Sequence, residues 1–299
     1  MKKYKKILSI ILSIISTICF AAVIIFIVNR NMEDRQHTAL MESLRPSESA
    51  QAEASPAPAP TATPLPTDTP KATSEPTATA TPQPTATPTP EPTSTPAVAN
   101  PYRDNYLVNS DMAAWLQIPG TNVDYPVMWT PRDENYYLYR DFDGSENQNG
   151  CLILDTDSSL EPLTTNLIIH GHNMRSGAMF GNLTDYEDEE YFESHRQIIL
   201  YTEECQRNYE VIAVFRSQVY KKSDDVFKFY KFFQADTEEE FDDFYENIKE
   251  LSIYDTGVTA EFGDHFLTLS TCVYHVDRGR FVVVAKETEP GDRYLPITE

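Results

Sequence analysis

The first pattern along the chain is an unbroken apolar one. Residues 7–28, ILSIILSIISTICFAAVIIFIV, are 22 uncharged and mostly apolar positions, enough helix to cross a bilayer core about 30 Å thick. Lys2, Lys3, Lys5 and Lys6 precede them. Positive-inside bias puts that end in the cytoplasm and the rest outside. The run is long for a cleaved signal and no clear A-x-A site follows, so a retained single-pass anchor is the expectation. From Glu33 to about Arg45 the chain turns polar, and the pattern leaves open a helical extension or an irregular joint. Between Pro46 and Pro96 stand 14 of the 21 prolines, among Thr, Ala and Ser. Such a tract buries no core and reads as a stalk, reaching on the order of 160 Å if polyproline II.

Beyond Asn100 the pattern changes to short apolar runs separated by turns. Helical spacing at Tyr106, Leu107, Met112 and Ala113 predicts a helix over Asp104–Trp115 that leads into a strand at Trp115–Ile118. Pro119-Gly120-Thr121-Asn122 is a turn signal, and Val123–Met128 follows as a strand. Further strands are expected at 151–154, 166–170, 197–201, 209–215, 265–272 and 280–286. About eight short strands argue for a closed, mainly β barrel with helices. Two stretches interrupt it. Residues 178–191 predict one or two short helices. The larger insertion, Ser223–Tyr254, carries a helix capped by Thr237 and Glu240, with Phe241, Phe244, Tyr245, Ile248 and Leu251 on one face. The chain thus divides into a tail (1–6), an anchor (7–28), a juxtamembrane segment with stalk (29–99) and a folded domain (100–299).

Charge narrows the partners. Of the formal net charge of −22, all falls beyond residue 99, where 16 Lys and Arg face 38 Asp and Glu. Nucleic acid is excluded as a partner on that ground, since phosphate binding needs a basic footprint. Candidate chemistry lies near the C-terminus, in TLSTCVYHVDRGRFVVVAK at Thr268–Lys286. If strands 265–272 and 280–286 pair as a hairpin, Cys272 and Arg280 become cross-strand neighbours. A fixed positive charge favours the thiolate, and guanidinium N–H groups suit a tetrahedral oxyanion. Arg278 falls on the same face by alternation, so periodicity alone does not choose between the two. Ser270 shares a face with Cys272 and is a candidate for the groove lining. A proton carrier is available where the apolar strand at 166–170 ends in Gly171-His172-Asn173. Three cysteines lie outside the apolar span, which leaves one thiol free even if Cys151 and Cys205 pair, a point that spacing does not decide.

Together these stretches resemble the sortases, the membrane-anchored cysteine transpeptidases of Gram-positive bacteria, and specifically class B. The resemblance rests on TLSTC at 268–272, RFVVVAK at 280–286, IIHGHNMRSGAMF at 168–180 and IPGTNVDYPV at 118–127, and covers roughly residues 100–287 in one order. It implies that Cys272 is the nucleophile, His172 the general acid and base, and Arg280 the transition-state arginine. It also implies that Leu138 contacts the peptide, and that His170 stands where relatives usually carry tyrosine in the substrate pocket. In class B the helix before the cysteine strand walls the substrate groove, which would give the 223–254 insertion that role.

The implied activity is cleavage of a C-terminal sorting signal of NPxTx or LPxTG kind after its threonine, through a thioacyl enzyme, and transfer to a peptidoglycan amine. The implied partners are sorting-signal-bearing surface proteins and that amine, in lipid II or a cross-bridge. No metal or organic cofactor is required. A zinc site from His170, His172, Cys272 and His275 is disfavoured, because paired Cys-x-x-Cys spacing is absent and the metal would occupy the thiolate. Two other readings stay open: a class B-like pilin-polymerising enzyme, against which the missing Asp-Pro-Trp lid counts, and a non-catalytic stalked wall-binding module. A wall L,D-transpeptidase is disfavoured by the lack of a Ser-His-Gly-Cys motif.

Overall fold

The computed structural model describes residues 2–46, 98–274 and 276–297. The Pro/Thr-rich tract expected as a stalk and His275 of the disfavoured zinc set lie outside the described residues. Eight strands form a closed barrel: β1 (Met112–Gln117), β2 (Asp124–Met128), β3 (Leu152–Leu154), β4 (Asn166–Gly171), β5 (Gln197–Thr202), β6 (Cys205–Gln218), β7 (Phe266–Cys272) and β8 (Gly279–Arg293). Their order around the barrel is β1-β2-β3-β4-β7-β8-β6-β5, closed by the pairing of β5 with β1. Two neighbouring pairs are parallel, β2 with β3 and β4 with β7; the others are antiparallel. The expected mainly β barrel of about eight strands is therefore the fold.

Alternation decides which side of each strand is dry. On β8, Phe281, Val283 and Ala285 point to the barrel interior with Leu116, Leu267 and Leu269, whereas Val282 and Val284 join an outer layer. That outer layer is covered by the 223–254 insertion. Its helix, numbered below after two shorter ones, needs a face to bury, and Phe215 and Phe266 of the barrel supply it.

Among the described residues, four α-helices accompany the barrel. Helix α1 runs Lys2–Leu44, α2 Arg103–Val108, α3 Glu189–Ser194 and α4 Glu238–Leu251, with a 3-10 turn at Leu183–Glu187 before α3. Asp188 caps α3 by accepting from the Glu190 N–H. Thr237 and Glu240 make both halves of the capping box of α4. Phe241, Phe244 and Ile248 of α4 are buried, but Leu251, expected on that face, is exposed at the last helical position. The helix expected over Asp104–Trp115 stops at Val108, and Met112 already belongs to β1. Asn109 is the reason: its side chain accepts from the Asp111 N–H and donates to Phe142 O, a local alternative to another helical turn.

The largest departure from expectation is in residues 29–45. As far as Leu44 they continue α1 without a break, and they pack on the barrel domain. Arg30 donates to Asn149, His37 Nδ1 lies 2.6 Å from Asp141 Oδ1, Arg45 Nε lies 2.7 Å from Asp124, and Asn105 donates to Leu44 O. His37 is only 2% exposed, as is Met41. The folded unit therefore includes a segment that the sequence placed outside it. On the other side of the Pro/Thr-rich tract, Val98 N–H donates to Arg293 O.

Candidate active site

Cys272 ends β7, and its partner in the antiparallel register with β8 is Arg280, as the hairpin reading expects. The turn between them fixes the arginine. Val273 N–H donates to Gly279 O and Gly279 N–H to Val276 O. Arg278 has φ 54°, in the left-handed region. That turn breaks strand alternation, so Arg278 is exposed while Arg280 is half-buried. Arg280 Nη1 donates back to the carbonyls of Arg278 and Gly279, at 3.3 and 3.1 Å. The choice that periodicity left open is thus made by the turn.

His172 arrives from the neighbouring strand. β4 runs parallel to β7 with His170 opposite Ser270 and Gly171 opposite Thr271, which places the residue after β4 beside the end of β7. Thr271 Oγ1 donates to Gly171 O, and Asn173 Nδ2 donates to Cys272 O at 2.9 Å, tying the two strand ends together. His172 Nε2 is 2.8 Å from Leu138 O. A carbonyl only accepts, so Nε2 carries a proton there and Nδ1 is the nitrogen left to exchange one. The ring of Tyr139, 5.3 Å away between centroids, flanks the imidazole.

Leu138 and Tyr139 close a 3-10 turn, Tyr136–Tyr139, held by Asn147 N–H to Tyr139 O and Cys151 N–H to Tyr137 O. Gly150 makes that approach feasible. With φ +61°, it sits where a Cβ would come 2.3 Å from Leu138 O, the carbonyl that holds His172.

A cavity of about 360 Å³ brings together all six residues singled out from sequence: Leu138, His170, His172, Ser270, Cys272 and Arg280. Ser270 is 1% exposed and its Oγ has no hydrogen-bond partner among the described residues. His170 Nε2 lies 3.1 Å from Asp155 Oδ2. Burial works to raise the Asp155 pKa, but bonds from His170 and the Asp157 N–H outweigh it and hold the carboxyl below its usual range. Glu134 brings a third donor atom within 4.8 Å of these two. Cys151 also lines the cavity; burial, then the charges of Asp141 and Asp143, push its thiol well up. Cys151 and Cys205 are both free thiols.

The helical insertion does not wall this cavity: α4 lies on the outer barrel layer, and the lining comes from the Tyr136–Tyr139 turn, β3, β4, β7 and β8. Sequence reasoning missed Tyr139, Asn173 and Asp155. The first two adjoin residues it did single out, and chain neighbours of a candidate are a usable signal. Asp155 had none, because its contact depends on the antiparallel pairing of β3 with β4.

A thiol, a guanidinium and an imidazole converging on one cavity at the rim of a closed barrel define a cysteine enzyme of the acyl-transfer class. A family model for the sortase domain matches residues 116–288. Sortase B of Listeria monocytogenes serovar 1/2a (strain EGD-e) is 33% identical over 191 residues, covering 63% of this chain and 74% of that protein. Among solved structures, Clostridium perfringens sortase B matches with a TM-score of 0.56 at 26% identity, over 62% of this chain and 99% of that one. A Staphylococcus aureus sortase B–substrate complex matches with a TM-score of 0.58 at 25% identity, over 65% and 87%. The chain belongs to the sortase family, in class B, and is a sortase-type cysteine transpeptidase.

Proposed function

We propose that this enzyme cleaves a C-terminal sorting signal of NPxTx or LPxTG kind between threonine and the next residue, and transfers the carboxyl to a peptidoglycan amine. Residues 7–28 anchor it in the cell membrane with its N-terminus cytoplasmic and its barrel outside. The observation that carries the reading is the single cavity shared by Cys272, His172 and Arg280, with the unpartnered Ser270 hydroxyl facing a buried site. Cys272 attacks the threonine carbonyl, and Arg280 N–H groups stabilise the oxyanion. His172 gives its proton to the departing amine. The acyl group then sits on sulfur until an amine attacks, with His172 taking the proton in return. Leu138, His170 and Ser270 contact the bound signal.

The test uses the full chain in nanodiscs with quenched peptides of NPQTN, LPxTG, SPxTG and PPxTG types, and mass spectrometry of Cys272. The expected result is a thioacyl adduct with one motif, absent in Cys272→Ala and released by an added amine. No adduct with any peptide, while Cys272 still reacts with iodoacetamide, would favour a non-catalytic wall-binding module. Release by a pilin lysine in preference to a wall amine would favour the pilin-polymerising reading.

A further inference from the structure

Cys272 and His172 line a second cavity, of about 620 Å³, on the side away from Arg280 and Ser270. Its far wall is not barrel but α1, through Phe26, Asn29, Arg30 and Glu33, and Tyr139 stands where the two cavities meet. The wall is held in place by the contacts of α1 with the barrel. Asn149 accepts from Arg30 and donates to Asp34, and Asn147 donates to Glu33 O. Arg30 is also 3.4 Å from Glu33 and 3.5 Å from Asp34, so the cluster of one cation and two carboxylates is net negative.

The two cavities suit the two halves of an acyl transfer. Arg280 and Ser270, which serve the acyl side, line only the first; His172, which must protonate the leaving amine and deprotonate the incoming one, lines both. An incoming amine approaches the carbonyl from where the first amine left, past the same acid and base. We infer that the cavity between α1 and the barrel is the acceptor site, and that it takes a primary amine, as ammonium, against the Glu33 carboxylate. This rests on the sorting-signal reading above and adds the residues that would recruit the acceptor. The ammonium gives one proton to solvent, and the amine lone pair attacks the thioester carbonyl. The C–N bond forms and the C–S bond breaks, its electron pair returning to sulfur. The second proton goes to His172. Asn29 shapes the path, and Glu33 binds without entering the proton transfer.

The test is the partition of the thioacyl enzyme. Full chain in nanodiscs is acylated with the peptide that reacts in the assay above, then offered water, neutral hydroxylamine, and tripeptides presenting an N-terminal glycine, a lysine or a diaminopimelate amine. In Glu33→Gln the ratio of tripeptide transfer to hydrolysis should fall at least fivefold through a higher acceptor KM, and further in Glu33→Lys, while release by hydroxylamine keeps pace with hydrolysis. Asn29→Trp, which fills the cavity, should lower the ratio as well. Gln36→Lys, on an exposed position of α1 outside the cavity, should leave it unchanged. An unaltered ratio in the Glu33 and Asn29 variants, or a drop as large in Gln36→Lys, would overturn the assignment, as would an unsubstituted enzyme that releases its acyl group to hydroxylamine and to none of the tripeptides. Failure to form any thioacyl species would instead remove the sorting-signal reading, and the acceptor site with it.

Discussion

Arg278 and Arg280 are two positions apart, yet only Arg280 is turned into the cavity with Cys272. Arg280→Ala should therefore lower kcat/KM for the reactive peptide by about a hundredfold or more, the scale of losing an oxyanion donor, and Arg278→Ala by less than about threefold, within the scale of a solvent-exposed substitution. Comparable losses would reassign the role. Gly150 makes a different demand. A Cβ there meets Leu138 O, so Gly150→Ala should shift the carbonyl that holds His172 and lower kcat by about tenfold to a hundredfold, the cost of a misplacement near 1 Å; a kcat within twofold of the parent would show that His172 does not depend on it. Cys272 and Arg280 were legible in sequence because hairpin register is a local matter, and His172 through the family resemblance, since its place beside Cys272 depends on the pairing of β4 with β7. Gly150 was not, since its close approach to Leu138 exists only once two irregular segments have folded against each other.

At the level of the element, α4 shows how far a pattern carries. Its cap and most of its buried face could be read from spacing, but not what it covers. Thr237→Ala should cost about 1 kcal/mol by loss of the cap, and Phe244→Ala about 3–5 kcal/mol, both measured by urea unfolding. Because α4 lies on the outer layer, the peptide KM of the Thr237→Ala enzyme should stay within twofold where it remains folded; a larger change would return α4 to the groove. Helix α1 shows the opposite failure. His37, Leu40, Met41 and Leu44 lie at i, i+3, i+4 and i+7, one helical face, but only three of the four are apolar and the rest of 33–45, Ala39 apart, is polar. The partners, Asp141 and Asp124, are 104 and 79 positions further on, too far for any local pattern to name.

Across the whole molecule, one half-buried carboxyl helps set a limit in acid. Asp155 is held below its unfolded value of about 4, so its bond with His170 contributes stability that is fully present above that pH and lost as pH falls through the lower native pKa. His170→Ala should move the acid-unfolding limb to higher pH, followed by circular dichroism from pH 6 to 2; an unmoved limb would mean that the Asp157 N–H alone suffices. The placement of α1 also sets how force would enter the barrel. Arg45 and Val98 are fastened to the same barrel, one through Asp124 and the other through Arg293. A pull applied along α1 therefore reaches the barrel first through the Arg45–Asp124 and His37–Asp141 pairs.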